Sequence, residues 1–175
     1  DEQQLLPRRR PWRWIASAAA AVVLLLTFVW TLSGTPDMQT LFSENYATAP
    51  APEVRGDGNP AGELKAAIGS YSAAQWADAG TRFRSIAEAG GPNSGMAWFY
   101  AGVCALEQGK TSAAISAFDA QLRNPHPLNQ RAEWLRALAF LKNEDQGGAR
   151  TALKAIADRP HDFQQEAQEL LEKLK

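Results

Sequence analysis

Gly95–Pro125 reads GMAWFYAGVCALEQGKTSAAISAFDAQLRNP. Apolar residues recur three and four apart on either side of Gln108-Gly109-Lys110, the signature of two amphipathic helices meeting at a glycine turn. Pro125 ends the second helix, because proline has no amide proton to give to a helical carbonyl. Ala101, Gly102 and Ala105 on the first helix and Ala114 on the second are small enough to let the two axes approach. Trp98 and Phe118 supply the bulk that such a hairpin must bury.

The pattern repeats in both directions. Ala114-x3-Phe118 is preceded, 35 residues earlier, by Ala79-x3-Phe83 and followed, 35 residues later, by Ala149-x3-Leu153. Gly102 falls on Ala67 and Ala137 at the same interval, and Pro125-His126 falls on Pro160-His161. The spacing Trp98-x2-Ala101-Gly102-x2-Ala105, Ala114-x3-Phe118, Pro125 resembles the tetratricopeptide (TPR) repeat, whose pattern is W-x2-L-G-x2-Y…A-x3-F…P with a period of about 34. The resemblance implies an all-α solenoid of helical hairpins over residues 61–175, with repeats at 61–91, 92–126 and 127–160 and a cap at 161–174. Helices are expected over 61–73, 75–89, 94–108, 111–123, 128–143, 145–158 and 161–174.

A single hairpin cannot bury its apolar face, so three stacked units are needed for one continuous core. The last helix suits a terminal position, with Phe163, Ala167, Leu170, Leu171 and Leu174 on one side and Gln and Glu residues on the other. The outer repeats depart from the family pattern. The first has Glu63 and Ser70 at two expected packing positions, and the third has Glu133 and Arg136. Lower stability is expected of both.

Ahead of the repeats, Trp14–Leu32 (WIASAAAAVVLLLTFVWTL) carries no charge. As a helix it would measure about 28 Å, close to the roughly 30 Å hydrocarbon core of a bilayer. Trp12, Trp14 and Trp30 flank it, and Arg8, Arg9, Arg10 and Arg13 precede it. Positive charge stays on the cytoplasmic side. The expectation is a single-pass bacterial inner-membrane anchor at 14–32, a cytoplasmic basic segment at 1–13 and a periplasmic body. A cleaved secretory signal is the competing reading of the same run.

Residues 33–60 read as a Pro/Gly-rich linker, with a short helical turn within Asp37–Tyr46. Two readings of it stand. It is a passive spacer, the first choice on composition, or its Leu41, Phe42 and Tyr46 occupy the groove of the repeats as a tethered mimic of a ligand.

The rest of the composition narrows function. From Ala61 to Lys175 there are 13 Lys+Arg and 13 Asp+Glu, a neutral body without the cationic stripe that nucleic acid demands. His126 and His161 lie one repeat apart, about 10 Å in a helical stack, too far to share a metal at about 2 Å. Cys104, the lone cysteine, sits mid-helix and reads as a small buried hydrophobe. No nucleophile elbow, metalloprotease or phosphate-loop motif is present. No cofactor, metal, small-molecule substrate or enzymatic activity is expected.

Surface remains. The family resemblance implies that the first helices of the hairpins line a concave groove for a protein or peptide partner. The matching residues are Leu64, Ile68 and Tyr71; Phe99, Val103 and Leu106; and Arg131, Trp134, Leu138 and Leu141. Glu107 and Lys142 edge it. The positions that clamp a peptide carboxylate in some TPR proteins hold Leu64, Ile68, Tyr100 and Leu135, with only Arg131 matching, which disfavours that ligand class. The reading is a membrane-anchored interaction scaffold of the bacterial envelope. Its alternative is a transmembrane regulator of the anti-sigma type with an effector domain upstream.

Overall fold

The computed structural model describes residues 37–53 and 62–174, which belong to one compact unit. The proposed span 14–32 and the basic segment 1–13 lie outside the described residues. Among those described, no helix is long and apolar enough to cross a membrane.

All regular structure in the described residues is helical. A short helix α1 (Met38–Asn45) comes first. The hairpins follow as α2 (Gly62–Ser72) with α3 (Trp76–Ala89), α4 (Ser94–Glu107) with α5 (Thr111–Gln121), and α6 (Asn129–Lys142) with α7 (Gln146–Ala157), and α8 (Gln164–Lys173) ends the array. Each helix packs on its sequence neighbour throughout α2–α8. Phe83, Phe118 and Leu153, the equivalent large residues of the second helices, are each 0% exposed. Burying one such side chain is worth about 1.5–3 kcal/mol.

The 35-residue register reaches the backbone itself. The left-handed residues of the three hairpin turns are Ala74 (φ 55°), Gly109 (φ 71°) and Glu144 (φ 57°). At each turn the following amide bonds back to the carbonyl five residues earlier: Gln75 to Ser70, Lys110 to Ala105 and Asp145 to Phe140, at 2.8, 2.8 and 3.0 Å. These are Schellman closures, which satisfy the otherwise orphaned carbonyls of a helix end. Only the middle turn uses glycine. A Cβ in that conformation costs about 1–2 kcal/mol, a physical reason for the outer hairpins to be weaker.

Inside the middle hairpin, what fills the space over Gly102 is the Phe118 ring. A Cβ at Gly102 would lie 2.6 Å from Phe118 Cε1, so the absence of a side chain there is what lets α4 and α5 approach.

The two histidines hold equivalent loops in the same way. His126 Nδ1 accepts the Leu128 amide at 3.1 Å, and His161 Nδ1 accepts the Phe163 amide at 3.0 Å. The bonded residues lead into α6 and α8, so each ring closes the turn before the next helix. That accounts for α8 starting at Gln164 rather than at 161. The polar departures in the third repeat are also partnered. Glu133 accepts from Arg159 and lies 3.0 Å from His161 Nε2, while Arg136 pairs with Asp119 on α5 at 2.6 Å. At the far end Gln146 and Arg150 of α7 donate to the Leu174 carbonyl and close α8.

Two substitutions should move stability in opposite directions. Gly102→Ala gains about 0.5–1 kcal/mol of helix propensity but overpacks Phe118 at about 1–3 kcal/mol, a net loss. Glu144→Gly relieves the left-handed strain and should raise stability by on the order of 1 kcal/mol. Denaturant midpoints of the two variants check the signs.

Candidate partner-binding face

The first helices α2, α4 and α6 contribute the residues that the sequence pattern assigns to a groove. Leu64, Tyr71, Phe99, Val103, Leu106, Trp134, Leu138 and Leu141 are all buried, and Ile68 and Arg131 are half-buried. They divide by direction. Phe99 is directed at Phe118, with ring centroids 6.1 Å apart, and Trp134 stacks flat on Phe163 at 5.1 Å and 2°. These two fill joints within and between hairpins. Tyr71 turns the other way and meets Tyr100 edge-on at 5.1 Å, while Tyr100 stacks on Phe83 at 5.4 Å.

The chain itself lies on this face. Helix α1 packs on α6, burying Leu41 and Phe42. Phe42 stacks on Tyr46 at 4.8 Å and takes the Lys142 ammonium over its ring at 4.5 Å. The same Lys142 Nζ donates to the Leu106 carbonyl at 3.1 Å, bridging α6 to α4. Gln39 Nε2 donates to the Lys142 carbonyl at 2.8 Å, using one of the acceptors that a helix end leaves free.

After α1 the backbone is extended, with Tyr46 at φ −89° and ψ 128°. Tyr46 and Thr48 both donate their hydroxyls to Glu107 Oε1, the former at 2.7 Å. Tyr71 donates to the Ala49 carbonyl at 2.5 Å, and Tyr100 to the Pro50 carbonyl at 3.0 Å. Pro52 shares a cleft with Asn93, Met96 and Leu128. The segment therefore runs antiparallel to α4, from Glu107 at its last turn towards Met96 in its first.

Burial along the segment has a period of three. Tyr46 is half-buried, Ala49 and Pro52 are buried, and the residues between them are exposed. That is the period of a polyproline II helix, which Pro50 and Pro52 favour by fixing φ. Residues 37–53 are thus not a free spacer, and Leu41, Phe42 and Tyr46 sit against the first helices.

Tyr100 stands at a position that the family resemblance puts in the groove, but the apolar pattern does not count it among the contact residues. A signal existed, since a buried tyrosine normally finds a hydrogen-bond partner for its hydroxyl. Neither neighbouring repeat offers an equivalent, because Tyr100 falls on Lys65 and Leu135 at the repeat interval. Cys104, beside these residues, is 0% exposed. Burial pushes its thiol up to about 12, so it stays protonated and acts as packing. Burial likewise holds His126 below the ordinary imidazole range. Among the described residues no three His, Cys, Asp or Glu side chains gather as a metal site would require.

Hairpins repeating at 35 residues, each closed by the same turn, are matched by a family model described as tetratricopeptide repeat, over residues 64–125 and 105–163. The chain belongs to the tetratricopeptide repeat family. No curated protein matches it in sequence. TPR arrays are protein-binding scaffolds and are not in general enzymes, so the first-helix face of this TPR domain is its candidate interaction surface.

Docking of residues 37–53 should depend on pH. Burial raises the phenols of Tyr46 and Tyr71 above the ordinary value of 10.0. A group raised in the docked state stabilises docking fully below its free value and loses that contribution as pH climbs past it. The segment should therefore release progressively above about pH 10. Tyr71→Phe should cost about 1 kcal/mol at neutral pH and shrink the alkaline effect. Thermal melts across the alkaline range, beside an ultraviolet titration of tyrosinate, check both.

Proposed function

We propose that this chain is a membrane-anchored, non-enzymatic scaffold of the bacterial envelope. Residues 14–32 anchor it, the amino end lies in the cytoplasm, and the TPR domain stands in the periplasm. The first-helix face then receives a protein or peptide partner. The apolar positions Leu64, Ile68, Tyr71, Val103, Leu106, Leu138 and Leu141 build that face, Phe99 and Trp134 brace it from the joints behind, and Arg131 supplies a charge beside it.

One observation carries the binding part of this reading. The face holds an extended segment through side-chain donors aimed at main-chain carbonyls, at Ala49 and Pro50. Peptide-binding modules recognise extended ligands by the same chemistry. The anchoring part is supported by the charge-free run and by the arginines on one side of it.

The topology is checked by labelling the full chain in intact cells with a membrane-impermeant thiol reagent, after Lys110→Cys places a thiol at an exposed turn. Labelling without breaking the inner membrane is the expected result, and the chain should pellet with membranes after alkaline extraction. A body labelled only after lysis, or a freely extractable chain, overturns the anchor. For the scaffold role, a photo-crosslinker at Arg131 should capture a discrete partner that one at Arg84, on α3, does not. Equal capture at both sites would remove the face from consideration.

A further inference from the structure

We propose that residues 37–53 are a cis-docked representative of the ligand class this face takes. That ligand is an extended, proline-bearing segment led by a helical turn with an aliphatic–aromatic pair, and it enters from a partner when the cis segment leaves. This rests on the partner-binding reading above and adds the chemistry of the partner and the control of access.

The contacts define the ligand from its leading end. An aliphatic side chain and an aromatic one, here Leu41 and Phe42, lie on α6, and the aromatic ring carries the Lys142 ammonium at 4.5 Å. A phenol and a second hydroxyl two residues on, here Tyr46 and Thr48, converge on one carboxylate oxygen of Glu107. Two successive carbonyls then accept from Tyr71 and Tyr100. Reading carbonyls rather than side chains tolerates sequence change at positions 50 and 51, whereas small or proline residues are required where Ala49 and Pro52 turn inward. Proline lowers the entropy lost on binding because an extended conformation is already its preferred one.

The manner of attachment separates this segment from the scaffold. Within the described residues, the backbone–backbone bonds beyond regular helix that involve residues 37–53 are Leu41 to Asp37 and Tyr46 to Phe42, both local to α1. No ladder joins the segment to α4 or α6, and the polar bonds across the joint each use a side chain. Undocking breaks these while the Schellman turns and the helix joints of α2–α8 stay whole. The segment is also covalently joined to α2, so it competes with any partner at an effective concentration on the order of millimolar. A partner must therefore match it closely, and weakening the cis copy raises apparent affinity in trans in proportion to the open fraction.

The test uses the full chain and a fluorescent synthetic peptide with the sequence of residues 37–53. Leu41→Ala/Phe42→Ala opens the face, and the peptide should bind this variant saturably and at least about tenfold more tightly than it binds the parent chain. Glu107→Gln added to the variant should weaken that binding. A variant with native circular dichroism that binds no peptide overturns the proposal. So does a variant that dimerises by exchanging 37–53 between copies, seen as doubled mass in light scattering, which would make the occupant a second copy. Should the double variant fail to fold, amide exchange on the unaltered chain decides. Release of the α1 amides while α4 and α6 stay protected supports a displaceable segment, and exchange of all three together in one global event overturns it. Capture of a partner at Arg131 without peptide binding removes the ligand class and leaves the scaffold standing. Peptide binding with no Arg131 partner leaves the ligand class standing and removes the scaffold.

Discussion

Stacked hairpins cover one another along the direction of stacking and leave the face of their first helices to be covered by something else. In this chain that face carries Tyr71, Leu106, Leu138 and Leu141, and a large contiguous apolar patch is seldom left exposed unless it is an interaction site. Residues 37–53 meet the requirement. Their amphipathic turn buries Leu41 and Phe42 on α6, and their proline-bearing tail follows α4. The aromatic cluster of Tyr71, Tyr100 and Phe83 is arranged around the same need. The rings pack on one another and on Phe83, and the two hydroxyls reach main-chain carbonyls of the extended segment.

Two kinds of joint hold the domain together, and they differ in chemistry. Between helices of the array the joints are close and apolar, as where Phe118 lies against Gly102 or Trp134 lies flat on Phe163. Some polar partners reinforce them at the rims, notably Glu133 with Arg159 and His161, and Arg136 with Asp119. Arg159, Arg136 and Asp119 are at least partly exposed, where a single ion pair contributes little. Their role is to satisfy charge at positions where the family pattern favours apolar bulk. The joint with residues 37–53 instead combines two large anchors with five side-chain hydrogen bonds, the mixture found at interfaces between proteins.

That difference bears on function. A groove lined by residues buried against the protein's own segment is not an open site, and affinity for a partner is set by the difference between two occupants rather than by one. Lys142 is central to such an exchange. It stands over Phe42, its Nζ bridges to the Leu106 carbonyl, and its own carbonyl takes Gln39. Whatever occupies this end of the face must answer to a cation, to the Glu107 carboxylate and to the hydroxyls of Tyr71 and Tyr100.

The sequence by itself determined the architecture. Period-35 recurrence of small and large apolar residues, broken by glycine and proline, is a local signal, and local signals dictate helices, turns and their order. The helix limits agree with those expected to within a few residues, and the departures at 122–123 and 161–163 fall at helix ends, where side-chain and turn bonds compete with the helix. What only the tertiary structure decided is how the first-helix residues are used. Phe99 and Trp134, which fall on Leu64 at the repeat interval, stand in the same first-helix apolar set as Tyr71, yet they serve the joints, while Tyr100 joins the face through a hydroxyl that no apolar periodicity records. The segment at 37–53 was legible only as two alternatives. Its composition is that of a spacer, and its place is set by two tyrosine hydroxyls, a cation and a carboxylate elsewhere in the chain, the last two, Lys142 and Glu107, more than fifty residues away.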